Sequence, residues 1–94
     1  MNYSYLNSEE ELLLKKIYLL PQVVEQVAST YKPHLLATHL FETATMINSW
    51  YSKYSVTNET DVNRKTALLK LCDKLAKHQQ QGLELLGIET LESI

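Results

Sequence analysis

Sparse punctuation constrains this chain more than any other feature: two prolines and two glycines are spread over 94 residues. Pro21 and Pro33 lie early, Gly82 and Gly87 lie late, and neither residue type interrupts the stretch between. Most turn-rich β folds and most Gly-rich phosphate loops need more glycine than this, so most of both are excluded. Long helices remain. Leu6-Asn7-Ser8-Glu9-Glu10-Glu11 reads as a helix start, with Ser8 as the cap, Glu11 completing a capping box, and three carboxylates at the positive helix end. Leu12, Leu13, Ile17 and Leu20 follow at helical spacing. Pro21 ends that helix and suits the first turn of the next, which carries Val23, Val24, Val27 and Tyr31.

A third helix opens at Pro33, and its apolar positions Leu36, Leu40, Ala44, Ile47, Tyr51 and Tyr54 step by three or four. Ser55 to Thr60 forms a polar linker, and Thr60 or Asp61 caps a last helix containing Leu68, Leu71, Cys72, Leu75 and Leu83. Gly82 inside that helix predicts close approach of a neighbour, and Gly87 predicts a left-handed stop. The expected fold is all-α, an antiparallel four-helix bundle with helices at about 8–20, 21–31, 33–54 and 61–86. A chain of this length makes one domain, 1–94, burying roughly 60–65% of its unfolded surface.

Charge and composition narrow the function classes. A net charge of −2 and a pI near 5.9 argue against a general polyanion binder but leave room for a local basic face. One cysteine cannot form an internal disulfide, which points to a reducing, cytoplasmic compartment. The N-terminal residues lack the basic and apolar regions of a signal peptide, and no apolar run reaches the ~20 residues of a membrane span. His34, His39 and His78 have no metal-ligand spacing, so no metal site is expected and surface or boundary positions are. Cys72 sits in a leucine-rich stripe without a histidine partner and reads as a buried structural thiol. Nothing in the pattern supports catalysis or a cofactor.

The cations are less evenly spread than the total suggests. Arg64, Lys65, Lys70, Lys74 and Lys77 stand against a single acid, Asp73, and Lys70, Lys74 and Lys77 share one stripe of the last helix. Such a stripe suits either an ordinary solvated face or a row of phosphates. Trp50, Tyr51 and Tyr54 cluster beside Lys53 at the end of the third helix. Adjacent Trp50 and Tyr51 cannot both point inward, so one ring is at least partly exposed. An exposed ring next to a lysine is the arrangement on which unstacked RNA bases stack.

In sequence order, LLPQVVEQVA (Leu19 to Ala28), KPHLLATHLFETATMINSWYSKYSV (Lys32 to Val56) and GLELLGI (Gly82 to Ile88) resemble the C-terminal DALR anticodon-binding domain of arginyl-tRNA synthetases. The resemblance implies an all-helical fold and docking of the anticodon arm of an arginine tRNA. It implies Tyr51 as the leading contact, with Trp50 as its neighbour or core partner. The family's C-terminal tail also reaches the anticodon loop, which brings in Ile94, although Ser93 lacks the usual cation there. Leu68 stands where the family often has Arg, Gln79 where it is usually apolar, and His39 where Tyr is frequent. The candidate tRNA-binding residues are therefore Tyr51, Trp50, Lys53, Arg64, Lys70, Lys74, Lys77 and Ile94.

The nucleotide-binding body of a complete ATP-dependent arginine–tRNA ligase, with its HIGH and KMSKS signatures, does not occur in these residues. Two expectations follow: an excised C-terminal fragment, or a free-standing domain, the latter mildly favoured by Met1 and the altered ending. The competing function is a repurposed helical protein-interaction module that meets another protein or a second copy of itself without binding tRNA.

Overall fold

The computed structural model describes residues 5–54 and 58–92. They form four helices and no strand: α1 (Ser8–Ile17), α2 (Leu20–Thr30), α3 (His34–Lys53) and α4 (Val62–Glu92). The cap of α1 lies one residue earlier than the sequence reading placed it. Asn7, in extended backbone, is the cap: its Oδ1 accepts from the Glu10 amide at 2.9 Å, and its own amide donates to Glu10 Oε1 at 2.9 Å. The capping box is therefore Asn7–Glu10, and Ser8 is already helical.

Between α1 and α2 the backbone never leaves the right-handed helical region; Tyr18 and Leu19 stay at φ −72° and −79°. Pro21 has no N–H to bond back to Ile17, so the ladder breaks there and resumes with Val23 N–H to Leu19 O at 3.0 Å. A proline at this place bends a helix without reversing it. The described residues thus make three rods where four were expected: the kinked α1–α2, then α3 running back, then α4. α3 packs against every other helix, and α1 also packs against α4. The molecule is long and narrow, 50 × 20 × 16 Å.

Two apolar clusters fill the space between rods. One gathers Leu6, Leu13, Leu14 and Ile17 with Trp50 and with Ala67, Leu68, Leu71 and Leu75 of α4. The other joins Leu20 and Val27 of α2 to Leu36 and Leu40 of α3. Several side chains expected inside lie outside. Along α3 the inward row steps from Ile47 by three to Trp50, not by four to Tyr51, leaving Tyr51 62% exposed and Trp50 at 2%. Leu12 and Leu83 are exposed because Leu14 and Gly82, on neighbouring faces, take the inward positions. Tyr31 is exposed because it adopts the left-handed C-cap of α2, φ 56°. Asp61 caps α4, its Oδ1 accepting from the Asn63 and Arg64 amides. Cys72 is half-buried against the first cluster, and burial pushes its thiol pKa up.

The α3–α4 seam holds a polar chain. His39 and His78, placed at the surface or boundary by the sequence reading, are both buried, with Nε2 atoms 3.0 Å apart and rings edge-on at 69°. Gln79 fixes their protons. Its Nε2 donates to Leu40 O at 3.3 Å, so its Oε1 faces His78 Nδ1 at 2.7 Å and must accept. His78 therefore carries its proton on Nδ1, and His39 Nε2–H donates across the seam. One turn further on, Gly82 passes under Leu40: a Cβ there would lie 2.3 Å from Leu40 Cδ2 and 3.2 Å from Cγ. Gly87 does not stop α4. No glycine has positive φ, and the helix continues to Glu92 while Leu85 and Leu86 still pack on the second cluster.

The two glycines should respond oppositely to alanine. Gly82→Ala crowds a buried leucine whose whole branched end lies over the site, and should lower stability by about 1–3 kcal/mol. Gly87→Ala meets nothing within 4 Å and should raise it by up to about 1 kcal/mol, as in any open helix interior. Urea unfolding of the two variants checks both signs.

Acid should loosen the seam. Burial depresses the pKa of both histidines; His78 and Lys16 push His39 down further against Glu42, while the Gln79 bond opposes the fall at His78. The unfolded chain then binds protons that the folded pair resists, so their contribution is intact above the ordinary value of 6.5 and declines as pH falls below it. Melting temperature measured from pH 8 to pH 5 should drop below about pH 6.5. Replacing both histidines by leucine should flatten that slope.

Candidate nucleic-acid interface

The site is built at the end where α1 begins, α3 finishes and α4 begins. Glu10, Leu13, Leu14 and Ile17 form the inward face of α1 at the spacing i, i+3, i+4, i+7, so a carboxylate occupies the first position of an otherwise apolar row. Glu10 is fully buried. Arg64, the only arginine of the chain, grips it with two hydrogen bonds, Nη1 to Oε1 and Nη2 to Oε2, each 3.0 Å. The Trp50 indole donates to Oε2 at 2.8 Å. Burial pushes the Glu10 carboxyl up, but Arg64, the Asn7 amide and the Trp50 indole outweigh it and hold it below the ordinary value. The same carboxylate raises the pKa of Arg64.

Arg64 has further partners. Its Nη1 donates to Tyr5 O, its Nε lies 3.7 Å from Glu59 Oε2, and its guanidinium sits 5.0 Å over the Tyr54 ring. The Tyr54 hydroxyl donates to Glu59 Oε2. Arg64 is therefore committed to holding the rods together and has little left for a phosphate. Trp50, at 2% exposure, has no ring face open to a base. Tyr51 is the exposed aromatic of the cluster, set edge-on to Trp50 at 68° with centroids 6.3 Å apart. Lys53 is exposed two residues on and meets Glu9 at 3.2 Å.

The lysines of α4 lie on another flank. Lys74 and Lys77 line a cleft of about 630 Å³ with Ile17, Leu20, Pro21 and Val24 of the kinked rod, whereas α4 meets α3 through Gln79 and Gly82. Lys70 continues that flank beside Thr66 and Leu69. Lys77 is paired with Asp73 at 2.9 Å, and Lys74 is half-buried. Tyr51 and the lysine stripe, expected to act together, thus stand on different helices and faces. Ile94 and Ser93 lie outside the described residues.

Sequence reasoning missed Glu10 as a buried anchor and read it with Glu9 and Glu11 as a helix-dipole carboxylate. Two signals were available: Glu10 is in phase with Leu13, Leu14 and Ile17, and the chain uses arginine once among eight lysines, where bidentate pairing favours it. Among the described residues no three histidine, cysteine, aspartate or glutamate side chains gather as a metal set. No helix among them is long and apolar enough to cross a membrane.

Comparison with known proteins gives one family. Residues 1–94 match the DALR anticodon binding domain. Relatives include the arginine–tRNA ligase of Aliivibrio salmonicida (strain LFI1238), 41% identical over 86 residues, and that of Aliivibrio fischeri (strain MJ11), 42% identical over 86 residues. Each alignment covers 92% of this chain and 15% of the relative. The arginine–tRNA ligase of Pasteurella multocida (strain Pm70) is 35% identical over 88 residues, 94% of this chain and 16% of that enzyme. The chain therefore spans about one-sixth of the length of these curated relatives. No solved structure matches.

Proposed function

Because the chain belongs to the DALR anticodon-binding domain family, we propose that it binds the anticodon arm of an arginine tRNA in the cytoplasm. It does so as the C-terminal domain of an arginine–tRNA ligase or as a free-standing copy, with 1–94 as a helical bundle of the class I synthetase anticodon-binding type. The observation that carries this reading is the presentation of Tyr51. A ring that is 62% exposed, backed edge-on by a buried tryptophan and followed by Lys53, is a stacking surface on a rigid element. Lys70, Lys74 and Lys77 supply the phosphate contacts from the other flank; Ile94 supplies the tail contact. Lys53 and Lys77 exchange Glu9 and Asp73 for phosphate when RNA binds.

The second reading, a protein-interaction or self-associating module without tRNA binding, is favoured by the cleft between the kinked rod and α4, whose floor of Ile17, Leu20, Pro21 and Val24 is apolar.

A transcript of an arginine tRNA should bind, and affinity should fall roughly 50–150-fold between 50 and 200 mM salt if four phosphates are neutralised. Tyr51→Ala should weaken binding about tenfold with the salt slope unchanged, since stacking is not ionic. Lys74→Ala should reduce the slope by about one phosphate. Filter binding across a salt series separates these effects. Affinity indifferent to both salt and Tyr51, together with self-association by light scattering, would support the protein-interaction module.

A further inference from the structure

The Tyr51 ring meets one other aromatic ring among the described residues, and that ring is Trp50. Trp50 in turn is not a passive filler. Its indole N–H is directed by Glu10 Oε2 at 2.8 Å, and Glu10 is held from the opposite side by both Arg64 nitrogens and by the Asn7 cap. Each link has a fixed direction. The guanidinium is planar, the carboxylate accepts in its plane, and the indole has one donor, so the tryptophan plane is set by three helices at once. The exposed tyrosine is left with an edge-on wall on one side and solvent on the other.

Resting on the anticodon-arm reading above, we propose that Glu10, Arg64 and Trp50 are positioning residues for Tyr51, fixing the plane on which an unstacked RNA base is received. They act through Tyr51 and touch no nucleotide. A tyrosine on α3 without this wall would sample several rotamers in water, and a base would have to order the ring as well as stack on it. The wall removes that ordering cost beforehand. This positioning role also accounts for a charged pair at this end of the molecule. An apolar contact would fill the same volume, but it would not hold the indole in one orientation.

A double-mutant cycle tests this, using an arginine-tRNA transcript as the probe. Trp50→Phe keeps an aromatic in the core and removes the N–H; Glu10→Gln keeps an amide-sized side chain in the cap. Circular dichroism confirms folding of each variant at the assay temperature. Trp50→Phe should weaken binding about threefold or more, and Trp50→Phe/Tyr51→Ala should bind no more weakly than Tyr51→Ala alone, because contacting residues couple. Glu10→Gln should likewise add nothing to Tyr51→Ala, and should shift the emission of Trp50, the single tryptophan. A loss at Tyr51 with an additional, additive loss at Trp50 overturns the positioning role and leaves the RNA reading standing. No loss at Tyr51 overturns the RNA reading and the positioning role with it.

Discussion

A carboxylate with no exposed surface is the constraint around which the rest of this molecule is arranged. Removing Glu10 from water costs several kcal/mol, and a lone partner would not offset that. The fold gathers donors from three directions: the Asn7 amide from its own cap, the Trp50 indole from α3, and two Arg64 nitrogens from α4. Breaking such a pair from one side costs about 3–5 kcal/mol, a large share of what a small domain has. A pair of this kind adds little net stability over an apolar filling. Its effect is directional, since only one alignment of the start of α1, the end of α3 and the start of α4 satisfies every donor.

Among the described residues, the far end of the molecule has no counterpart. Leu20, Val27, Leu36 and Leu40 pack there with no buried charge among the described residues, and Tyr31 closes α2 in a left-handed conformation that a non-glycine residue adopts at some cost. Between the ends, the His39–His78–Gln79 chain pins α3 to α4 by one proton whose place is dictated by a backbone carbonyl. The exposed aromatic with the best case for binding sits at the polar, directionally fixed end. An apolar contact tolerates sliding and rotation that a bidentate pair does not, so this is where a side chain can be held in one plane.

The helices were legible because their period was: Pro21 and Pro33 mark where they turn, and apolar spacing shows where they run. Side-chain roles were less so, and for one physical reason. Periodicity registers apolar residues and is blind to polar ones on the same face. Glu10 and His39 lie in phase with the buried rows of α1 and α3, yet their charge or polarity removed them from the pattern. At Trp50–Tyr51 both steps, three or four, continue the row from Ile47; the indole partner on α1, invisible to local spacing, decided between them. Gly87 failed as a stop because its φ stays negative, so α4 runs through it at the usual helical glycine cost of about 1 kcal/mol.

Separation of Tyr51 from the α4 lysines has a consequence for how affinity and discrimination divide. Lys74 and Lys77 lie along the flank facing the kinked rod, with Lys70 next to them on α4, a geometry set once Gln79 and Gly82 are committed to α3. Their neighbour is an apolar cleft, so on that side attraction to phosphate is electrostatic and indifferent to sequence. Around Tyr51 the cation closest in sequence is Lys53, already engaged by Glu9. Charge therefore contributes little to what the ring prefers. If Tyr51 receives a base as proposed, its preference comes from stacking and from the angle at which the ring is held, an angle that the proposed positioning role assigns to a salt bridge on the far side of a buried tryptophan.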